Sequence, residues 1–257
     1  MDVKESHPGL VRRHPWEVAR ARFYTRVLAD AGLLHAPRAV LDIGAGDGYL
    51  ARTLLDTLPA GSTLVCLDAH YTDDALRRFA TPPRPGLTFA REPPARRFDI
   101  LLLLDVLEHV DDDVGFLSRF VTQHAMPGGV VLIGVPAWPR LFARHDEALG
   151  HCRRYTPAAC RALVAAAGLT VRKSGGLFHS LLVPRALGLA AERGRRLLGR
   201  PVSPPPNLGE WSGGETISSV LERALALDNQ VSHALGRAGV HVPGLSFWAL
   251  CDVGGAR

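Results

Sequence analysis

Short apolar runs alternate with amphipathic stretches through the first two thirds of this 257-residue chain. Apolar runs of four to six residues predict buried strands, and apolar positions at intervals of three and four residues predict helices. Alternation of the two predicts a parallel, doubly wound α/β sheet with helices on both faces. The predicted strands cover 39–43, 63–67, 87–90, 99–104, 130–135, 169–174 and 245–253, and the helices between them cover 48–58, 73–79, 112–124 and 157–167.

Two further helical segments lie outside this alternation. An apolar stripe predicts a helix at 15–32, which we expect to lie over the ligand cleft as part of an N-terminal cover, 1–37. Residues 177–244 separate the last two strands and are interpreted as a helical insertion, with helices at 181–198 and 215–235 and a proline break at 201–206. We expect this insertion to form a lid over the part of the cleft where a second substrate, the acceptor, would bind. A membrane contact and a dimer surface are the alternatives. Residues 1–176 and 245–257 then form the main domain.

The segment 39–49 is the most informative of the chain, because an apolar strand ends there in a glycine-rich turn and a helix begins at once. The glycines are Gly44, Gly46 and Gly48. A dinucleotide fingerprint requires the third glycine one position later, where this chain has Tyr49. Asp42 would repel a phosphate and attract a cation. The turn therefore favours S-adenosylmethionine, which carries an amino group and a sulfonium but no phosphate.

Acidic residues follow two more of the predicted strands. Asp68 ends the second strand, where a carboxylate can accept hydrogen bonds from both ribose hydroxyls of an adenosine cofactor. Asp105, Glu108 and His109 follow the fourth strand. Because the carboxyl ends of parallel strands face the ligand crevice, these side chains are expected at its mouth.

The formal charge of +5 invites a nucleic-acid or membrane interpretation. Lys4 and Lys173 are the only lysines, however, so the positive charge is nearly all arginine, as a high-GC genome would give. We expect no nucleic-acid partner, and membrane association is an alternative that we do not favour. The four cysteines are scattered and form no C-x-x-C motif, and we find neither an apolar leader nor a run long enough to span a membrane. These features predict a cytoplasmic protein. We expect it to be monomeric or homodimeric.

Taken together, these segments resemble the class I S-adenosylmethionine-dependent methyltransferases. The resemblance covers 38–175 and the last strand, and rests on VLDIGAGDGYL at 40–50, LVCLDAH at 64–70, FDILLLLDVLEHVDD at 98–112 and GGVVLIGVPA at 128–137. It implies a Rossmann-like, seven-stranded sheet with the last strand antiparallel. It also implies S-adenosylmethionine as cofactor, S-adenosylhomocysteine as product, and cofactor contacts from Asp42, Gly44, Ala45, Gly46, Gly48, Asp68, Ala69, Glu92, Asp105, Val106 and His109. Glu92 would stand in for the acid that many members place beside the adenine.

The DVLEH segment is also similar to that of the ubiquinone-pathway O-methyltransferases, where two acids and a histidine are linked to a divalent metal. The corresponding residues here are Asp105, Glu108 and His109. Two carboxylates and an imidazole can hold magnesium or manganese. We expect no metal, and favour Glu108 as a helix cap and His109 as a residue packed on the cofactor.

The polar loop 138–156 follows the fifth strand and is expected to overhang the acceptor side of the crevice. Methyl transfer requires the protein to position the acceptor and to remove its proton, a task that suits a histidine. We favour His145 or His151 over His109 as this base. In an alternative interpretation Asp146, His151 and Arg153 pin the loop to the domain, and the loop arginines either clamp an anionic acceptor or are solvated.

The sequence therefore predicts a methyltransferase that acts on an oxygen, ahead of nitrogen or carbon, of a small-molecule acceptor. A single domain with a lid is typical of enzymes of specialised metabolism. One alternative keeps the cofactor but replaces methyl transfer by a rearrangement or cyclisation. Another is a membrane-surface protein of the same fold that acts on or binds a lipid-linked substrate.

Overall fold

The computed structural model describes residues 13–199, 211, 213–237, 240 and 242–254. The N-terminal residues 1–12 and the expected proline break at 201–206 lie outside this part. The strands are β1 (Ala39–Ile43), β2 (Thr63–Leu67), β3 (Leu87–Ala90), β4 (Phe98–Leu104), β5 (Ala125–Pro136), β6 (Leu169–Leu177) and β7 (Ser246–Val253). The helices are α1 (Pro15–Asp30), α2 (Tyr49–Leu55), α3 (Asp73–Phe79), α4 (Asp113–His124), α5 (Arg144–Leu149), α6 (Pro157–Ala166), α7 (Leu182–Leu197) and α8 (Glu215–Arg237).

All seven strands join one sheet in the order β3-β2-β1-β4-β5-β7-β6. The pairs among β1 to β5 are parallel, and β7 is antiparallel to both of its neighbours. The predicted Rossmann-like sheet with an antiparallel last strand is therefore confirmed. Ile43 is in register with Leu67 on one side and Leu103 on the other, so β1, β2 and β4 end at one edge. The strand order reverses between β1 and β4, which is where ligands of open α/β sheets bind.

The sheet is buried on both faces, which explains why its central strands are continuous apolar runs. On one face, Leu41 and Leu103 pack in a cluster with residues of α4 and α6. On the other face, Val40 and Leu102 pack with residues of α1 and α2. Successive residues of a strand point to opposite faces, so each run serves two cores.

Three of the differences from the predicted segments have an identifiable physical reason. β5 begins at Ala125 because Phe98 pairs with Ala125 before a register shift, although Pro127 and its neighbouring glycines interrupt the apolar pattern. β6 continues to Leu177 through a glycine pair whose register with β7 is unbroken. The post-β5 loop contains α5, a six-residue helix too short to show a helical period in the sequence.

The described part of the insertion between β6 and β7 contains the two expected helices, α7 and α8. α8 lies on α1, where His233 Nε2 is 2.8 Å from Asp30 Oδ2. Asn229 on α8 is buried, and its side-chain oxygen accepts from the Phe178 N–H at 3.1 Å. α7 instead lies against the post-β5 loop. No helix in the described ranges is both long enough and apolar enough to cross a bilayer.

Candidate functional site

The turn after β1 is shaped by glycines in the left-handed region of the backbone. Gly44 has φ 69° and Gly48 has φ 72°. A Cβ at Gly44 would lie 2.6 Å from Val106 Cγ2, and one at Gly48 would lie 2.7 Å from Phe89 Cε1. Both positions therefore require glycine for backbone conformation and for close approach of a neighbour. The Gly44 N–H donates to the Leu67 carbonyl at 2.8 Å, which fastens the turn to the end of β2.

Two buried carboxyl groups flank this turn. Asp42 lies within β1, and burial raises its pKa to about 7. Asp68 follows β2, where Oδ2 accepts from the Gly46 N–H at 3.2 Å and Oδ1 accepts from the His70 N–H at 2.9 Å. The structure thus brings the three predicted elements, Asp42, the glycine turn and Asp68, to one edge of the sheet.

Tyr71 supports the same turn and was not anticipated from the sequence. Its buried hydroxyl donates to the Gly46 carbonyl at 2.6 Å. Its ring packs edge-on against Phe79 and Phe89, both within 6 Å of it between centroids. An aromatic residue three positions after a strand-end aspartate carries no recognisable signal, because its partner lies 25 residues earlier.

Basic side chains at and just before α1 pair with acidic residues at this edge of the sheet. Arg20 pairs with Asp105, and Arg13, just before the helix, pairs with Asp47 in the glycine turn. Asp105 has φ 58°, an unusual conformation for a residue other than glycine, and it directly follows β4. The sequence predicted the helix from its apolar stripe but did not identify these two arginines.

The remaining expected cofactor contacts lie at the same edge with different exposure. Ala45 and Val106 are half-buried, and Val106 packs against Gly44. Ala69 follows Asp68 and is exposed, and Glu92 is exposed two residues beyond the end of β3. His109 is exposed on the 3-10 turn Leu107–His109.

Asp146 joins three parts of the structure around the post-β5 loop. Its fully buried carboxylate accepts from the Ala143 N–H at 2.9 Å, from Arg154 Nε at 2.7 Å and from Arg185 Nη2 of α7 at 3.0 Å. His151 Nδ1 is 3.1 Å from the same carboxylate. Burial alone would raise the pKa of Asp146, but His151 and Arg154 hold it well below its ordinary value. Asp146 therefore stays ionised and ties the loop, α5 and α7 together.

Two more residues of the loop contact the acidic segment after β4. Arg153 Nη1 is 3.1 Å from Asp113 Oδ2, and the Tyr155 hydroxyl is 2.7 Å from the same oxygen. Arg154 is buried and also donates to the Ala137 carbonyl at 3.1 Å. The guanidinium groups of Arg153 and Arg154 are thus occupied by protein partners.

The candidate histidines lie in different settings. His109 and His151 are in contact, with ring centroids 4.7 Å apart and the rings nearly perpendicular. His145 is half-buried in the first turn of α5. Burial lowers the pKa of His145, and the charge of Arg185 lowers it further. A neutral imidazole at neutral pH is the result.

Glu108 lies close to His109 and His151 and is completely buried. Neither carboxylate oxygen has a hydrogen-bond partner within the described ranges, so Glu108 does not cap the adjacent turn. Burial raises its pKa to about 8.

Comparison with known proteins agrees with this geometry. A family model described as a methyltransferase domain matches residues 16–174. An uncharacterized methyltransferase of Mycobacterium tuberculosis (strain H37Rv) is 32% identical over 130 residues, which are 49% of this chain and 64% of that protein. The ubiquinone biosynthesis O-methyltransferase of Azorhizobium caulinodans is 27% identical over 164 residues, 54% of this chain and 61% of that enzyme. The aligned part therefore spans less than two thirds of either relative.

Among solved structures, the crystal structure of the (4+2)-cyclase SpnF is similar with a TM-score of 0.53. Its sequence is 14% identical, and the match covers 97% of this chain and 86% of that protein. At that identity the likeness concerns the fold alone.

Asp146→Asn should reduce the free energy of unfolding by about 3 kcal/mol at pH 7, because the buried Arg154 and the half-buried Arg185 lose their charge partner. The pKa of Asp146 is lowered in the folded chain, so its contribution is present above the unfolded pKa of about 4 and is lost as the pH falls. Urea unfolding at pH 7 and under acid conditions measures both effects. Glu147→Gln, on the exposed side of α5, is the control and should change stability by less than about 0.5 kcal/mol. Equal stability of the two variants at pH 7 would contradict the assigned role.

Proposed function

The chain belongs to the class I S-adenosylmethionine-dependent methyltransferases, and from this premise we propose that it transfers the cofactor's methyl group to an oxygen of a small-molecule acceptor. S-adenosylhomocysteine is then the product. The observation that carries the proposal is the glycine turn between two buried carboxyl groups, Asp42 and Asp68, at the switch point of the sheet. The ubiquinone-pathway relative supports oxygen over nitrogen or carbon.

In this proposal each of the two carboxyl groups binds a different part of the cofactor. Asp42 attracts the cationic methionine end, and Asp68 accepts hydrogen bonds from the ribose hydroxyls. The turn residues form a cofactor-binding wall without bulky side chains; they are Gly44, Ala45, Gly46 and Gly48. Val106 packs against Gly44 from the β4 side. Ala69, Glu92, Asp105 and His109 complete the expected contacts.

The acceptor is proposed to lie on the other side of the cofactor, under the post-β5 loop. The sulfonium already provides the leaving group, so the protein's task is to hold the acceptor in line and take its proton. We assign the base to His145, because its lowered pKa keeps the imidazole neutral at physiological pH. His151 and His109 contact one another, and His151 is oriented by Asp146. α7, bonded to the same loop through Arg185, would cover the acceptor as a lid.

The cellular setting is part of the proposal as well. All four cysteines are free thiols, which supports a reducing compartment such as the cytoplasm. A role in specialised metabolism is proposed from the insertion, which gives the acceptor side its own structure.

Cofactor affinity should fall with decreasing pH below about 7 because Asp42, whose pKa burial raises to about 7, must lose its proton to attract a cation. The limiting slope is about tenfold in Kd per pH unit for one proton. Asp42→Asn should bind S-adenosylmethionine more weakly at pH 8, and the gap from the unchanged protein should close towards pH 5.5. Calorimetry across this range measures it. Asp47→Asn, in the same turn, is the control that should keep the pH dependence. Parallel affinity curves for the unchanged protein and Asp42→Asn would refute the role of Asp42.

The rate of S-adenosylhomocysteine release, measured with hydroxyl-bearing acceptors, should fall at acid pH. The apparent pKa of this fall should lie below 6.5, because protonation of His145 causes it. Arg185→Gln removes a positive charge that lowers the His145 pKa, so the acid limb of kcat/KM should move to higher pH. Arg195→Gln on the same helix is the control and should leave the profile in place. His145→Ala should abolish the limb, and retention of it would overturn this assignment. Turnover without S-adenosylhomocysteine would instead favour the rearrangement or cyclisation alternative.

A second candidate function is suggested by the orientation of α7 and α8. On both helices some polar side chains face the domain and several large apolar side chains point outwards, although one leucine of each helix, Leu189 or Leu225, is buried. Leu187 of α7 is 65% exposed and Leu227 of α8 is 61% exposed, whereas Ser218 and Asn229 of α8 are buried. Within the described ranges, Met126 is the one exposed large apolar side chain that lies outside 183–240.

An anionic bilayer fits such a surface, because the outward apolar face of α7 is flanked by exposed arginines. The acceptor would then be lipid-linked and would reach the crevice from the membrane. The arginines concerned are Arg193, Arg195 and Arg196.

If this candidate holds, the protein should float with vesicles containing phosphatidylglycerol and not with neutral phosphatidylcholine vesicles, since the attraction is partly electrostatic. Leu187→Glu should reduce the floated fraction. Met126→Glu, which changes an exposed apolar residue elsewhere, should not. An absence of flotation would leave the insertion as a lid or a protein contact.

A further inference from the structure

Glu108 poses a problem that methyl transfer does not solve. A carboxyl group removed from water is costly unless charges or hydrogen bonds compensate it. Glu108 is fully buried, and both of its oxygens lack a hydrogen-bond partner in the part of the chain that the structure describes. An orphaned buried carboxyl of this kind calls for an explanation, and a bound cation is one that the neighbouring side chains can be tested for.

Two histidines provide the remaining donors. One ligand atom each from Glu108, His109 and His151 lie within 4.8 Å of one another. The His109 and His151 rings meet at nearly a right angle, with centroids 4.7 Å apart. The three residues come from two segments, the turn after β4 and the loop after β5. A backbone hydrogen bond joins these segments, since the Cys152 N–H donates to the Glu108 carbonyl at 2.7 Å. The cluster is therefore held by the backbone and not only by side-chain placement.

His151 is also oriented as a metal-binding histidine usually is. Its Nδ1 is 3.1 Å from Asp146, which leaves Nε2 available to bind an ion. A carboxylate behind a ligating histidine fixes the ring and raises its basicity. Asp146 is itself held by Arg154 and Arg185, so this orientation does not depend on a mobile side chain.

We propose that Glu108, His109 and His151 form a binding site for a divalent transition-metal ion of the zinc type, with Asp146 as the carboxylate that positions His151. Two imidazole nitrogens and one carboxylate oxygen suit zinc, whereas magnesium prefers ligands that are all oxygen. Three protein ligands leave a position open, and the acceptor side of the crevice can fill it with a hydroxyl or carboxylate oxygen.

This site differs from the one that the sequence resemblance implies. Asp105 was the third member of that set, but its carboxylate pairs with Arg20 of α1. His151 takes its place and comes from a segment about 40 residues further along the chain. The exchange replaces an oxygen donor by a nitrogen donor and so changes the ion that the site should prefer.

Calorimetric titration of the full, chelator-treated chain with zinc tests the proposal without reference to activity. One ion per chain is expected, with magnesium binding at least a hundredfold more weakly. His109→Ala, at an exposed position where the substitution should not disturb folding, should weaken zinc binding at least tenfold. Asp146→Asn should weaken it by about 10- to 100-fold. His35→Ala, an exposed histidine outside the cluster, is the matched control and should have no effect.

Asp105→Asn separates the two possible ligand sets. Unchanged zinc affinity supports the set with His151, and a loss as large as that of His109→Ala overturns it. Cobalt used as a probe gives a second readout, since its visible absorption should differ between the unchanged protein and His151→Gln. Equal zinc affinity of the unchanged chain and His109→Ala, or magnesium binding as tight as zinc, would also overturn the proposal. Neither outcome bears on whether a methyl group is transferred.

Discussion

The cost of burying carboxyl groups shapes this molecule more than any other single constraint. Asp42, Glu108 and Asp146 are all buried along the carboxyl edge of the sheet or in the loop above it. Asp146 is compensated by two arginines, a histidine and a backbone N–H, and it remains ionised. Burial raises the pKa of Asp42 and of Glu108 towards neutrality, because neither has equivalent partners. Asp146, which is compensated, holds the loop and α7 together. Asp42 and Glu108, which are not, are the positions that a bound cation would stabilise.

These carboxyl groups also connect the parts of the site to one another. Asp105 joins β4 to α1 through Arg20, and Asp146 joins the post-β5 loop to α7 through Arg185. Arg20 thus ties α1 to the carboxyl edge of the sheet, and Arg185 ties α7 to the post-β5 loop. A displacement of either helix should therefore shift the crevice residues that these ion pairs hold.

The sequence predicted the sheet and the glycine turn because their signals are local. A buried strand is an apolar run, and the turn at Gly44 is determined by residues next to it in the chain. Contacts between distant segments were not predicted, since no pattern links Arg20 to Asp105, or Arg185 to Asp146. His151 was identified as a candidate base, but its contact with His109 depends on how a 20-residue loop folds back over the turn after β4.

Helix orientation is the other feature that the sequence could not supply. The periodicity of α7 and α8 shows that each has an apolar face, and such a face normally points to the core. Here the domain-facing side of each helix is mixed: Leu225 of α8 is buried while Leu227 is exposed, and Arg185 and Asn229 find polar partners on the domain. Amphipathic spacing specifies that two faces exist but not which of them the rest of the chain will contact.

The pairing of β6 with β7 has a consequence for how this fold can diversify. Leu177 and Ser246 are register partners, so the chain leaves the sheet and returns to it at the same point. The free energy of closing such an excursion grows only slowly with its length. Evolution can therefore lengthen, shorten or exchange the two-helix segment while the crevice on the parallel strands keeps its geometry, and new acceptors become accessible without a new cofactor site.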